Sequence, residues 1–325
     1  MENSRSKILK ILYRSPEQWI SGEEISHSLS ITRSAVWKNI NLLREMGYSI
    51  DSCTKRGHKL TIDNDILDEF NIKHGLRSEI FGQREILVFD TIDSTNIKAF
   101  QLATEGYPEG TIILAQQQTS GKGRLGRRWS SPYGKNIYIS IISRPFISPM
   151  DAPKLTLTSA IAVFHTIEKF NISNVEIKWP NDILVNGKKI CGILNEMKGD
   201  SDSVDFIITG IGININQKLN EFPEELQNTA TSFEIIKNQT TGRVEVIKAL
   251  LENFEKYYKM LTSGNFEDIL AQWSAKAQIV GKKIKVQQLK ESFVGTVKAI
   301  TVDGNLLLDT EAGIKEISSG DINYI

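Results

Sequence analysis

Three glycines alternate with four cationic side chains in Gly121-Lys122-Gly123-Arg124-Leu125-Gly126-Arg127-Arg128, and Trp129 follows. The apolar run Thr111–Ala115 stands before them. Glycine permits φ > 0 and close backbone approach, so several N–H groups can converge on one anion. Lysine adds charge, and arginine adds a planar fork that matches phosphate oxygens. The chemistry expected is the holding of a polyanionic small molecule. A solvated basic hairpin is the alternative. The spacing also fits G-x-G-x-x-G, but a dinucleotide fold needs a helix at the third glycine and an acid about 20 residues on. Arg127 to Gly134 is polar and turn-rich, and position 144 is Arg144. A dinucleotide-binding loop is therefore excluded.

A second segment, Val175-Glu176-Ile177-Lys178-Trp179-Pro180-Asn181-Asp182, carries a lysine, an aromatic residue and an amide–acid pair at a strand end. Proline stops the ladder, which places Asn181 and Asp182 on a turn. Asn186-Gly187 then predicts a type I′ hairpin. Lys188 and Lys189 are adjacent, so one faces solvent and the other a pocket. Gly192 and the run Gly210-Ile211-Gly212-Ile213-Asn214 leave room for close approach. Ser94, Thr95 and Asn96 open a helix after the strand Ile86–Phe89. They can cap that helix, bind ligand polar atoms, or both.

These groups need a scaffold. Strands at 86–89, 112–115, 136–141, 175–178, 183–185, 188–194 and 206–216 mix with helices through Ile97–Leu102, 155–170 and 246–261. His165 reads as a surface or core side chain. Short strands at 283–286, 293–300, 306–309 and 314–317, with a turn at Asp303-Gly304-Asn305, form a small β-barrel.

The amino end has a different character. Residues 1–62 hold ten Lys/Arg against six Asp/Glu, a net of +4, and residues 63–80 hold two against five, a net of −3. Helices at 7–13 and 22–29 lead through Ser30-Ile31-Thr32 to a third, capped by Thr32. Val36, Ile40 and Leu43 share one face of it, with Met46 extending that face and Gly47 ending the helix. Arg33, Ser34, Trp37, Lys38 and Asn41 form the opposite face. A hairpin with Lys55 and Arg56 near its tip completes a winged helix-turn-helix, suited to a major groove and the adjoining phosphates. A protein-interaction module is the competing reading. A single unit reads a half-site, so a dimer is expected on DNA.

The whole chain of 325 residues balances 39 basic against 39 acidic side chains and is 40% hydrophobic. It has length for two or three domains. Two cysteines and four scattered histidines indicate neither a disulfide framework nor a structural zinc site, and no metal ligands are assigned. No G-x-S-x-G, signal-peptide core, long repeat or apolar run of membrane length occurs. A cytoplasmic protein without a membrane partner is expected.

Taken in order, Gln118 with Gly121–Trp129, Lys178–Asp182, Lys189–Leu194 and Gly210–Asn214 resemble the motifs of biotin–protein ligases. With the winged helix in front, nearly the whole chain is similar to the bifunctional biotin ligase and biotin-operon repressor family. The resemblance implies an α+β multi-domain protein: a winged helix-turn-helix at 1–63, a linker at 64–82, a catalytic domain at 83–275 and an SH3-like barrel at 276–325. The catalytic sheet would be mixed, like that of class II aminoacyl-tRNA synthetases. ATP, with Mg2+, and biotin would form biotinyl-5′-adenylate. Biotin would then pass to a lysine of biotin carboxyl carrier protein, the acetyl-CoA carboxylase subunit, or of other biotin-dependent carboxylases. The adenylate would act as corepressor for a homodimer on operator DNA.

By the same resemblance, Ser94, Thr95, Asn96, Gln118 and Gly192 serve the biotin head group. Lys122, Gly123, Arg124 and Lys189 wrap its carboxyl end. Gly121, Lys122, Arg124, Arg127, Arg128, Trp129, Asn181, Lys189 and Asn214 serve ATP or the adenylate. Lys189, Arg124 and Asp182 are the catalytic candidates, with Asp182 orienting or activating the incoming amine. Lys122 replaces the arginine of some relatives, and Cys191 reads as packing. The alternatives are a ligand-sensing repressor without catalysis and a ligase for lipoate or octanoate.

Overall fold

The protein, described by a computed structural model over residues 4–62, 65–288 and 291–325, divides into two compact units. One comprises residues up to Leu76 with Gly242–Glu245, the other Arg77–Thr241 with Val246–Ile325. The boundary expected between residues 63 and 64 lies outside the described residues.

The first unit contains α1 (Ser4–Arg14), α2 (Gly22–Leu29), α3 (Arg33–Glu45), the hairpin β1 (Ser49–Cys53) and β2 (Gly57–Thr61), and α4 (Glu69–Lys73). Thr32 Oγ1 accepts from Ala35 N at 3.2 Å, satisfying an amide left open by the start of α3. Val36, Ile40 and Leu43 then recur at helical spacing and bury against Ile8, Leu12, Ile25, Ile50 and Leu60. Met46 does not extend this stripe: it is 57% exposed. The helix has already ended at Glu45, and Gly47, at φ +97°, turns the chain away. Within the stretch expected as a linker, α4 is ordered and Phe70 stacks on Tyr13 with 6.3 Å between ring centroids. Phe81, in the second unit, packs edge-on against Phe254 and Tyr258.

The second unit begins β3 (Ile86–Ile92), α5 (Thr95–Thr104), β4 (Ile112–Gln118), β5 (Ile137–Ser143), α6 (Lys154–Lys169), β6 (Val175–Lys178), β7 (Asp182–Val185), β8 (Lys188–Gly199) and β9 (Val204–Ile213). These strands form one sheet in the order β3-β4-β5-β9-β8-β7-β6. β3 and β4 run parallel, as the intervening α5 permits, and the other neighbours are antiparallel, so the sheet is mixed. Ala99, Leu102 and Ala103 of α5 bury against Ile113, Ile142 and Ile208. The Asn186-Gly187 turn has φ of +50° and +73°, the two positive values that a type I′ hairpin requires. Asp182 is not on the preceding turn as expected. It opens β7 opposite Lys178, and Trp179-Pro180-Asn181 make the connection.

The chain continues through α7 (Phe233–Lys237), α8 (Arg243–Thr262), α9 (Phe266–Ala277), β10 (Lys283–Gln287), β11 (Ser292–Ile300), β12 (Leu306–Thr310), β13 (Gly313–Ile317) and β14 (Asp321–Tyr324). The last five make an antiparallel sheet in the order β13-β12-β11-β10-β14. β14 was absent from the sequence expectation. Its four residues bury one large side chain, Ile322, too little for an alternating pattern.

Candidate functional site

The glycine-basic segment is a closed hairpin. Trp129 N donates to Gly121 O at 2.9 Å, Gly123 N to Arg127 O at 2.8 Å, and Arg127 N to Arg124 O at 3.1 Å. These amides bond within the loop, so the expectation of a backbone cradle does not hold for them. Positive charge reaches the cavity through side chains instead. The glycines also serve a different purpose than expected. Only Gly126, at φ +74°, has a positive φ, beside Leu125 at +54°. At Gly121 a Cβ would lie 2.6 Å from the Trp129 carbonyl oxygen, so this glycine lets the hairpin close.

The loop borders a cavity of about 400 Å3. Of the residues expected there, Gly121 alone does not line it. Ser94, Thr95, Asn96, Gln118, Lys122, Gly123, Arg124, Arg127, Arg128, Trp129, Asn181, Asp182, Lys189, Gly192 and Asn214 all do. Lys178, Tyr138 and Asp321, none of them among the candidate site residues, line it too. Lys178 belongs to the Lys178–Asp182 motif. Asp321 carried no sequence signal, because its approach comes from the unforeseen β14.

At the charged end, Lys189 Nζ lies 2.7 Å from Asp182 Oδ1. The bulge between Ile183 and Leu184 sets this register, bringing Leu184 opposite Lys189 while Lys188 stays exposed. Arg124 Nη1 donates to Asn181 Oδ1 at 3.0 Å and to Gly320 O at 3.2 Å, and lies 3.7 Å from Asp321. Arg127 also pairs with Asp321. Burial holds the Lys178 ammonium below the ordinary lysine range, partly offset by Asp182 and reinforced by Lys189. Cys191 is fully buried, and burial pushes its thiol above the usual range, which suits packing and not nucleophilic chemistry.

At the other end, Ser94 is the N-cap residue of α5, yet its side chain makes no capping bond and is buried at the cavity wall. Thr95 N and Oγ1 lie 2.9 and 3.1 Å from Gln118 Oε1. Asn214 lines the cavity but donates its amide to Thr231 O at 3.0 Å. The Trp129 indole lies against the sheet at Gly212 and Gly192. A Cβ on Gly212 would be 2.5 Å from its Cε2 and Nε1, and one on Gly192 would be 2.9 Å from its Cζ3. The close approach expected over these glycines is made by the loop's own tryptophan. Lys189 Nζ is 5.4 Å from that ring's centroid. Trp129 Nε1 is buried and has no hydrogen-bond partner among the described residues.

In the first unit, Arg33, Ser34, Trp37 and Lys38 are exposed on α3, with Trp37 at 62%. Asn41 is half-buried and accepts from Arg44 Nη1 at 3.2 Å. Lys55 is exposed on the wing, whereas the Arg56 guanidinium stacks 4.6 Å over Trp19.

Residues 4–59 match the HTH domain family, 88–214 the biotin/lipoate A/B protein ligase family, and 279–323 the biotin protein ligase C-terminal domain. Fold and pocket thus define a protein ligase that carries a helix-turn-helix module. The bifunctional ligase/repressor BirA of Bacillus subtilis is 39% identical over 318 residues, 98% of each chain, and that of Bacillus spizizenii is 40% identical over the same length. A solved structure, the biotin protein ligase from Aquifex aeolicus in complex with biotin and ATP, superposes with a TM-score of 0.63 at 29% identity, covering 74% of this chain and 99% of its own. The chain belongs to the family of bifunctional biotin–protein ligase/repressors.

Proposed function

We propose that this chain joins biotin to ATP and then to a protein lysine, and that the intermediate drives DNA binding. The observation that carries the reading is a single cavity lined both by the cations Lys122, Arg124, Arg127 and Lys189 and by the polar groups of Ser94, Thr95 and Gln118. A carboxylate and a nucleotide repel each other, and such cations offset that repulsion as they meet. The biotin carboxylate oxygen attacks the α-phosphorus, its bond to the leaving oxygen breaks, and pyrophosphate departs. The amine nitrogen of a carrier lysine then attacks the acyl carbon of the adenylate, loses a proton, and AMP leaves.

Lys189 neutralises the meeting oxygens, and Asp182, paired with it, holds that ammonium in place. As the adenylate draws Lys189 away, the Asp182 carboxylate becomes available to orient the incoming amine. Lys122 and Arg124 hold the phosphate, Trp129 covers the acyl chain, and its unpartnered N–H suits an acceptor on the ligand. Among the described residues no group of three or more His, Cys, Asp or Glu side chains is placed to hold a metal. In this reading Mg2+ enters on the ATP phosphates as part of the substrate.

The acceptors in this reading are biotin carboxyl carrier protein and other biotin-dependent carboxylases. The adenylate orders the loop and favours a homodimer, which binds the operator of biotin genes through α3 and the wing. The reading places this action in the cytoplasm. No helix among the described residues is long and apolar enough to cross a membrane. The test is biotin-dependent exchange of labelled pyrophosphate into ATP, followed by transfer to apo carrier domain. Operator retention is measured in parallel, with and without biotin and ATP. The absence of both exchange and labelled carrier would refute the reading.

A further inference from the structure

Glu196 lies on β8 outside the cavity wall, and no step above uses it. Asn96 Nδ2 donates to Glu196 Oε2 at 2.7 Å and lies 3.3 Å from Leu194 O. A carboxylate and a carbonyl oxygen only accept, so the end of the Asn96 amide that faces them must be the NH2. The opposite end, Oδ1, then takes the proton of the buried Ser140 hydroxyl, 2.6 Å away. A hydroxyl has one proton, so Ser140 offers only lone pairs to Thr95 Oγ1 at 2.8 Å.

The other flank has the same logic. Gln118 Oε1 accepts from Thr95 N, which turns Gln118 Nε2 toward Ser131 Oγ at 3.0 Å. Ser131 in turn donates to the Trp129 carbonyl oxygen at 3.1 Å. The Thr95 hydroxyl proton has two protein acceptors in reach, Ser140 Oγ and Gln118 Oε1. The hydroxyl protons of Ser140, Thr95 and Ser131 and one proton of Gln118 Nε2 go to protein atoms. Thr95 Oγ1 therefore offers the cavity a lone pair, and Gln118 Oε1 keeps a second when the Thr95 proton turns to Ser140.

We propose that Glu196 is a positioning residue: through Asn96 and Ser140 it fixes the direction of this hydrogen-bond chain, so that the pocket selects an acid whose ring carries N–H donors. This rests on the biotin reading, since a ureido ring supplies such donors. A dithiolane ring or an alkyl tail supplies none and would leave buried acceptors unpaired. If the Asn96 amide reverses, its NH2 faces Ser140, the Ser140 proton swings to Thr95, and a lone pair meant for the ligand is consumed.

The experiment compares the full-length protein with Glu196→Ala and Glu196→Gln in pyrophosphate exchange, titrating biotin, octanoate and ATP separately. Glu196→Ala is expected to raise the KM for biotin about tenfold, the worth of a buried polar contact. The kcat and the KM for ATP stay within about twofold, as for a loss of substrate binding alone. Glu196→Gln keeps an oxygen that accepts from Asn96 and restores the biotin KM. An unchanged KM in Glu196→Ala, an equal loss in both variants, or a loss confined to kcat overturns the proposal. A wild-type protein that shows no biotin-dependent exchange refutes the ligase reading instead. The chain is then judged by nuclear magnetic resonance of the Asn96 side-chain amide. Slow solvent exchange in wild type and Glu196→Gln, with fast exchange in Glu196→Ala, supports it, and equal protection in all three overturns it.

Discussion

Lys189 and Asp182 hold each other 2.7 Å apart at the cavity wall, so each arrives at the reaction already oriented. Replacing Lys189 with Met keeps much of the stem and removes the charge. Exchange is expected to fall by about 10^2–10^3 in kcat, the range for losing one positioned electrostatic partner, and initial rates at saturating substrates check it. The fit of Trp129 on bare backbone is the other exacting contact. Gly212→Ala would place a methyl 2.5 Å from the indole, so the ring must lift. A shifted tryptophan emission and a biotin KM raised roughly tenfold are expected, the order of a lost well-packed contact. Polarity and charge at 121–129 were legible in residue types. The inward turn of the loop amides was not, because closure between Gly121 and Trp129 is a matter of space and not of composition.

Elements explain why those side chains meet. β4 runs to Gln118 and α5 starts at Thr95, so a parallel strand pair delivers both polar groups to one rim. α8 does comparable service away from the cavity. Glu255 accepts from the amides of Glu79, Ile80 and Phe81 at 2.8, 2.7 and 3.1 Å. Glu255→Ala strands these donors and is expected to cost about 3 kcal/mol in denaturant unfolding. Burial pushes the Glu255 carboxyl up, but those amides and Lys259 together hold it below the ordinary value of 4.5. Its contribution is therefore complete above pH 4.5 and is lost as pH falls through the lower folded-state value. Stability of Glu255→Gln should fall less steeply than wild type in that acid window. Helical faces such as Val36–Ile40–Leu43 and the Asn186-Gly187 turn were legible because period and turn chemistry are local. β14 and the Asp182 register were not, because pairing partners far along the chain decide them.

At the scale of the molecule, charge is neutral overall, yet residues 1–62 carry a net of +4. Arg33, Lys38 and Lys55 sit exposed on the faces suited to phosphate. Replacing them together with Gln should weaken operator binding and reduce the slope of log affinity against log salt by about 0.9 per lost phosphate contact. Ligation should be unchanged, which a paired assay of retention and exchange would reveal. The two units also differ in how far apart in sequence their contacts lie. Residues 4–61 of the first are helices and one hairpin that pair locally, whereas the loop guanidinium of Arg127 meets Asp321 across 194 positions, and the large sheet pairs β5 with β9. Distant pairings form slowly, and domains fold as units. The two units therefore keep separate clocks. After dilution from denaturant, amide protection in the first unit should return while pyrophosphate exchange still lags. Operator retention, which needs the adenylate, should return only with exchange, so a newly folded helix-turn-helix stays silent until the pocket that reads biotin is finished.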